Sequence, residues 1–141
     1  MDKLIVTEKL ESLRRSIARV ELKYRDSGDD LLVDYDVQDV ISLNLTRAVQ
    51  LCVDISAHII AETEVSAPTS MSDTFVKLAE IQIIEDDLAK RMINAVGFRN
   101  LAIHSYEKIN WAIVRSICEY HLDDFKRFAM KMDELITKER E

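Results

Sequence analysis

At 141 residues, with 48% hydrophobic and only 6% aromatic side chains, the chain is sized for a single domain spanning 1–141 and composed for an aliphatic core. Two glycines and one proline are too few turn formers for hairpins or alternating strands, which excludes all-β and α/β architectures and leaves an all-α fold. A net charge of −7 excludes a sequence-independent nucleic-acid coat, although a local arginine cluster still binds phosphate on an acidic protein.

Residues 2 to 26 read as an amphipathic helix, because Leu10, Leu13, Ile17, Val20 and Tyr24 recur at three- and four-residue intervals and make one apolar stripe. The stretch RDSGDD ends it, with Gly28 available as a left-handed cap. A second helix starts at 30 or 34 and runs to 63, its stripe carried by Val37, Ile41, Asn44, Ala48, Leu51, Ile55 and His58. The loop TEVSAPTSMSD follows, punctuated by Pro68. Ser70 or Ser72 then caps a short third helix over 72–83, with Phe75, Leu78 and Ala79 inward. The fourth helix begins near Glu85, has acidic residues in its first turn as the macrodipole favours, and turns Leu88, Met92 and Ala95 to the core. Gly97 weakens it without necessarily ending it.

Asn110 is a good N-cap for a last helix reaching 138. Trp111, Val114, Cys118, His121, Phe125, Phe128, Met132 and Leu135 keep an unbroken heptad-type spacing, the pattern of a long helix packed lengthwise on others. The expected architecture is an up-and-down bundle of four to five helices. No uninterrupted apolar run approaches a membrane span, and the charged N-terminus MDKLIVTEKLESLRRS lacks the apolar core of a signal sequence. A cytoplasmic protein with no membrane partner is therefore expected. Cys52 and Cys118 stand alone in apolar stretches and read as buried free thiols.

Several chemistries fail on residue counting. Bundles that hold two metal ions use Glu-x-x-His pairs on facing helices, and no Glu here has a His three residues later. Asp54 and His58 stand at i and i+4, a weak metal signal beside the simpler reading of His58 as a core-edge residue. His121 reads as an interior histidine. No Gly-rich phosphate loop and no G-x-S-x-G elbow is present. No metal or cofactor is assigned. The second helix carries a polar strip of Asn44, Arg47, Asp54 and His58, spaced to share a face. It is a buried hydrogen-bond network or dimer interface on one reading. On the other, Asn44, Arg47 and Asp54 form a wall of a catalytic groove.

The stretch GFRNLAIHSYEKIN gathers Arg99, Asn100, His104 and Tyr106. At about 100° per residue, Arg99 and His104 would point about 140° apart on a continuous helix, with Tyr106 almost under Arg99. On one straight helix the three cannot converge. Either the fourth helix ends near His104, so that the following loop turns the side chains, or a twofold dimer completes the site. By spacing alone, structural residues at a helix end explain the stretch equally well.

RNLAIHSY fits the Arg-x4-6-His signature of the HEPN superfamily, and more narrowly Arg-Asn-x3-His-x-Tyr is similar to the pattern of the HepT toxins. The VGFRN lead-in, the cap before a long last helix and the polar-studded second helix extend the resemblance over nearly the whole chain. The resemblance implies an all-α, HEPN-like, dimeric protein that acts as a metal-independent endoribonuclease on transfer or messenger RNA. It also implies a type II-like toxin–antitoxin pair whose partner is a minimal nucleotidyltransferase, the MntA antitoxin, which transfers AMP from ATP onto the motif tyrosine. Arg99 and His104 would then be catalytic, Asn100 and Tyr106 supporting, and Tyr106 the modified residue. Such residues suit RNA cleavage: His104 exchanges a proton near neutrality, and Arg99 presents a planar fork to phosphate. A non-catalytic helical partner that positions substrate for a nucleotidyltransferase is the alternative, in which Arg99 and His104 are structural.

Overall fold

The computed structural model describes residues 2–140, which form six α-helices and two short 3-10 turns, with no strand among them. The helices are α1 (Lys3–Ser27), α2 (Tyr35–Ile60), α3 (Met71–Glu80), α4 (Asp86–His104), α5 (Trp111–Tyr120) and α6 (Leu122–Arg140). The 3-10 turns, Gly28–Leu32 and Tyr106–Lys108, follow α1 and α4. The all-α bundle matches expectation, with more helices than the four to five expected.

Four of the helix starts carry a side-chain cap. Asp2, Asp34 and Ser70 accept hydrogen bonds from backbone N–H groups in the first turns of α1, α2 and α3, and Asn110 does so for α5. At the far end of α1, Gly28 takes φ 53° and ψ −125°. That is a positive φ but not the left-handed helical well, so the chain enters a 3-10 turn and α2 begins at Tyr35. The third helix stops at Glu80 rather than 83, because Gln82 adopts φ 61° and the Ile83 N–H reaches back 3.0 Å to the Leu78 carbonyl. This is the closure that glycine normally supplies at a helix end.

One core draws residues from all six helices. α2 lies at its centre, touching α1, α3, α4 and α6, and α1 packs along it most extensively. Phe75 of α3 meets Phe128 of α6 edge to face, 6.2 Å between ring centres, both fully buried. By length and composition α2 also resembles a membrane-spanning helix. Asp39, Arg47 and Asp54 interrupt it, and one face of it, including Val37, Ile41, Leu45, Ala48, Cys52, Ile55 and Ile59, is buried within the bundle, while Val40 and Leu43 are exposed.

The long last helix is broken. His121 leaves helical geometry at φ −122° and ψ 0°, separating α5 from α6 without glycine or proline. Its N–H still closes α5 on the Ile117 carbonyl at 2.9 Å, while its own carbonyl accepts from Asp124 at 3.2 Å to open α6. Asp123 and Asp124 in the first turn suit the new N-terminus. The break lets α5 pack on the turn after α1 while α6 follows α1, α2 and α4. His121 is accordingly not an interior residue: its side chain is 45% exposed and 3.7 Å from the Asp124 carboxylate. Val114, Cys118, Phe125, Phe128 and Met132 are buried as expected, and Trp111 and Leu135 are half-buried.

Candidate functional site

α4 ends at His104. The Ser105 N–H bonds the Leu101 carbonyl at 2.8 Å, Ser105 turns out of the helix, and the 3-10 turn Tyr106–Lys108 leads to buried Ile109 and the Asn110 cap. The continuous-helix geometry that would keep Tyr106 under Arg99 is thereby removed. Arg99 and Asn100 stay on the last turns of α4, His104 is its terminal residue, and Tyr106 lies beyond it.

Arg99 is half-buried and reaches α2. Its Nη2 donates to Gln50 Oε1 and its Nη1 to Asn100 Oδ1, both at 3.2 Å. Gln50 turns its own NH2 to Asp54 Oδ1 at 2.9 Å, and Lys9 of α1 stands 3.8 Å from the same carboxylate. A relay therefore runs from Lys9 through Asp54 and Gln50 to Arg99. Amides alone touch the guanidinium, so among the described residues no carboxylate neutralises it. Arg99 Nε is buried with no hydrogen-bond partner among the described residues.

Tyr106 is tied elsewhere. Its phenol donates to Asp39 Oδ1 of α2 at 2.5 Å, and its ring meets Trp111 edge to face with centres 5.7 Å apart. Burial, then the hydrogen bond to Asp39, raises the phenol above its ordinary value, and a contact from Ser42 partly opposes this. His104 is exposed, with no side-chain hydrogen bond or ion pair among the described residues.

Asp39 and Gln50 are eleven positions apart on α2, roughly 16 Å along the helix axis. The chain thus holds Arg99 and Tyr106 at two separate points of one helix, with the His104 imidazole projecting between them in sequence.

The polar strip of α2 divides. Asn44 is buried, donates to the Val40 carbonyl at 2.8 Å, and leaves its Oδ1 without a partner among the described residues. Arg47 is exposed, Asp54 joins the Arg99 relay, and His58 is half-buried. No group of three His, Cys, Asp or Glu side chains able to hold a metal ion occurs among the described residues. Gln50, Asp39 and Lys9 were missed in the sequence. Only Gln50 left a trace, three residues after Arg47 and four before Asp54 on the same face. A separate apolar groove of about 640 Å³ runs between α4 and α5, lined by Phe98, Leu101, Ile113 and Ile117 among others, and none of the four motif residues lines it.

Comparison with known proteins agrees across the chain. The family model "Ribonuclease HepT-like" matches residues 9–132. A protein of Shewanella oneidensis named mRNA nuclease HepT is 35% identical over 124 residues, 88% of this chain and 92% of that one. One of Aphanizomenon flos-aquae named tRNA nuclease HepT is 25% identical over 142 residues, 100% of this chain and 97% of that one. The solved structure of a tri-AMPylated Shewanella oneidensis HEPN toxin in complex with an MNT antitoxin superimposes with a TM-score of 0.88 at 31% identity, covering 95% of this chain and 98% of that one. The motif, the helix end that exposes it, and this full-length similarity together place the chain in the HepT-like ribonuclease family.

Proposed function

We propose that this chain is the toxin of a HEPN/MNT toxin–antitoxin pair. It is a metal-independent endoribonuclease whose His104 and Arg99 cleave RNA, and an MntA-type nucleotidyltransferase neutralises it by attaching AMP to Tyr106. The observation that carries the reading is the setting of Arg99. A cation held by neutral amides, Gln50 on α2 and Asn100 on its own helix, keeps its full charge for a phosphate, whereas a carboxylate partner would cancel it.

In the reaction, the His104 imidazole takes the proton of a ribose 2′-hydroxyl, whose oxygen attacks the adjacent phosphorus. Arg99 stabilises the negative charge that develops on the phosphate, Asn100 helps hold the guanidinium, and the bond from phosphorus to the 5′-oxygen breaks, that oxygen taking a proton from water as it leaves. The products are a 2′,3′-cyclic phosphate and a 5′-hydroxyl. A homodimer supplies a second imidazole and a second arginine across its twofold axis, and Asn44, Arg47 and Asp54 lie along the helix that backs Arg99. AMP on Tyr106, two residues past His104, places bulk and negative charge at the His104 end of the site and excludes RNA by sterics and repulsion.

Expression of the chain alone in a bacterium tests this. Growth arrest is expected, with relief by Arg99→Ala or His104→Ala in variants that remain folded. The purified chain should cleave RNA in the presence of a chelator and leave cyclic-phosphate ends, with messenger and transfer RNA supplied as competing substrates. Arrest that persists in both variants removes the assignment. With ATP and the nucleotidyltransferase, intact mass should rise by AMP units, and the increase should vanish in Tyr106→Phe.

A further inference from the structure

The geometry points to Asp39 as the base that accepts the phenolic proton when Tyr106 is nucleotidylylated, so that the chain supplies part of the chemistry of its own modification. The inference rests on the proposed reading of Tyr106 as the acceptor of AMP.

A tyrosine hydroxyl is a poor nucleophile at neutral pH, because its ordinary value near 10 keeps it protonated. In this fold the difficulty is greater, since partial burial and the neighbouring carboxylate raise the phenol further. A phenolate is therefore not formed in advance, and its proton must be removed as the new bond forms. Among the described residues the carboxylate that accepts from the phenol is Asp39, its Oδ1 2.5 Å from the phenol oxygen, a short charge-assisted contact. The alignment is held from both sides. Asp39 sits on α2, a helix anchored in the core, and the Trp111 ring packs steeply inclined against the phenol ring, centres 5.7 Å apart. The Ser42 hydroxyl, one turn further along α2, donates to the Asp39 backbone carbonyl at 3.4 Å, and a contact from Ser42 partly opposes the rise of the phenol.

The step balances as follows. The Tyr106 Oη forms a bond to the α-phosphorus of a nucleoside triphosphate. The bond from that phosphorus to the oxygen bridging to the β-phosphate breaks, pyrophosphate leaves with the electron pair, and the phenolic proton passes to Asp39. The product has no hydroxyl to donate, so the new phosphodiester and the Asp39 carboxylate repel each other.

The test compares single-turnover modification of the full-length native chain, Asp39→Asn and Asp39→Glu by the nucleotidyltransferase, at saturating ATP and Mg²⁺, read as intact mass with peptide mapping to Tyr106. Asp39→Asn keeps the shape and a hydrogen-bonding group but cannot take a proton. A slowing of about a hundredfold is expected, as for loss of a general base, with binding of the two proteins unchanged. Asp39→Glu should recover to within tenfold of the native chain, which a merely structural aspartate would not produce. Asp39→Asn modified within threefold of the native rate, at Tyr106, overturns the role of Asp39 alone. No modification of the native chain at Tyr106 overturns both this inference and the reading beneath it.

Discussion

Gln50 and Arg99 form a cross-helix pair in which an amide, not a carboxylate, holds the guanidinium: Nη2 donates to Oε1 at 3.2 Å, and the other arm of the amide donates to Asp54. Gln50→Glu would replace the neutral acceptor by a charge. The resulting ion pair competes with substrate phosphate for Arg99. Steady-state cleavage of a short RNA should show KM raised about tenfold, or about 1.4 kcal/mol of lost binding, with a smaller change in kcat. Gln50→Ala, which frees Arg99 without neutralising it, should harm KM less than the glutamate does. The reverse order would mean that Gln50 does not preserve the charge.

Tyr106→Phe deletes the phenol but leaves the Arg99 relay on a different part of α2. RNA cleavage should remain within a few-fold of the native rate. The lost hydrogen bond lies at the surface, so the stability cost should be about 1 kcal/mol or less. Co-expression with the nucleotidyltransferase should then fail to relieve growth arrest. Cleavage reduced a hundredfold would instead make Tyr106 part of the cutting machinery.

Gly97 lies inside α4, and a Cβ added there meets nothing within 4 Å. Gly97→Ala should stabilise the isolated chain by about 1 kcal/mol, because alanine loses less backbone freedom on folding. Urea denaturation of dilute protein measures this. The residue lines the groove between α4 and α5. A stabilised chain that no longer self-associates would show that another surface needs the space a Cβ occupies.

Cys52 is fully buried and Cys118 nearly so. Burial raises the Cys52 thiol well above its ordinary value, and burial with the Glu119 charge pushes Cys118 up to about 12. A raised value favours the protonated thiol in the fold. That contribution is intact below the unfolded value of 9.0 and is lost as pH rises through the folded one. The urea midpoint should therefore fall as pH goes from about 9 toward 12. At pH 8, labelling by a thiol reagent should follow the opening of the chain and become fast in denaturant. Rapid labelling of the native protein at pH 8 would contradict the burial.

The helical fold was legible because its signals are local. The α1 stripe of Leu10, Leu13, Ile17 and Val20 is buried as its spacing requires, and the Ser70 and Asn110 caps start the helices they announce. The boundaries that sequence missed have no residue-type signal. Gln82 takes a positive φ without being glycine, and His121 breaks a helix without proline, each because tertiary packing outweighs a small local cost. The site divides in the same way. Arg99, His104 and Tyr106 lie within eight residues and carry a recognisable pattern. Their anchors do not, since Gln50 and Asp39 stand 49 and 67 residues from the side chains they hold. A glutamine or aspartate on a helix face has no chemistry of its own until the fold chooses its neighbour.

Pinning Arg99 and Tyr106 to different residues of one helix has an evolutionary consequence. On the proposed reading, cutting and restraint can be inherited separately. A lineage that loses Asp39 keeps an armed nuclease that its keeper marks poorly, and one that alters Gln50 keeps a blunted blade that is still marked well. Such variants escape notice in any survey of the Arg-Asn-x3-His-x-Tyr motif, because the letters that distinguish them are written on α2.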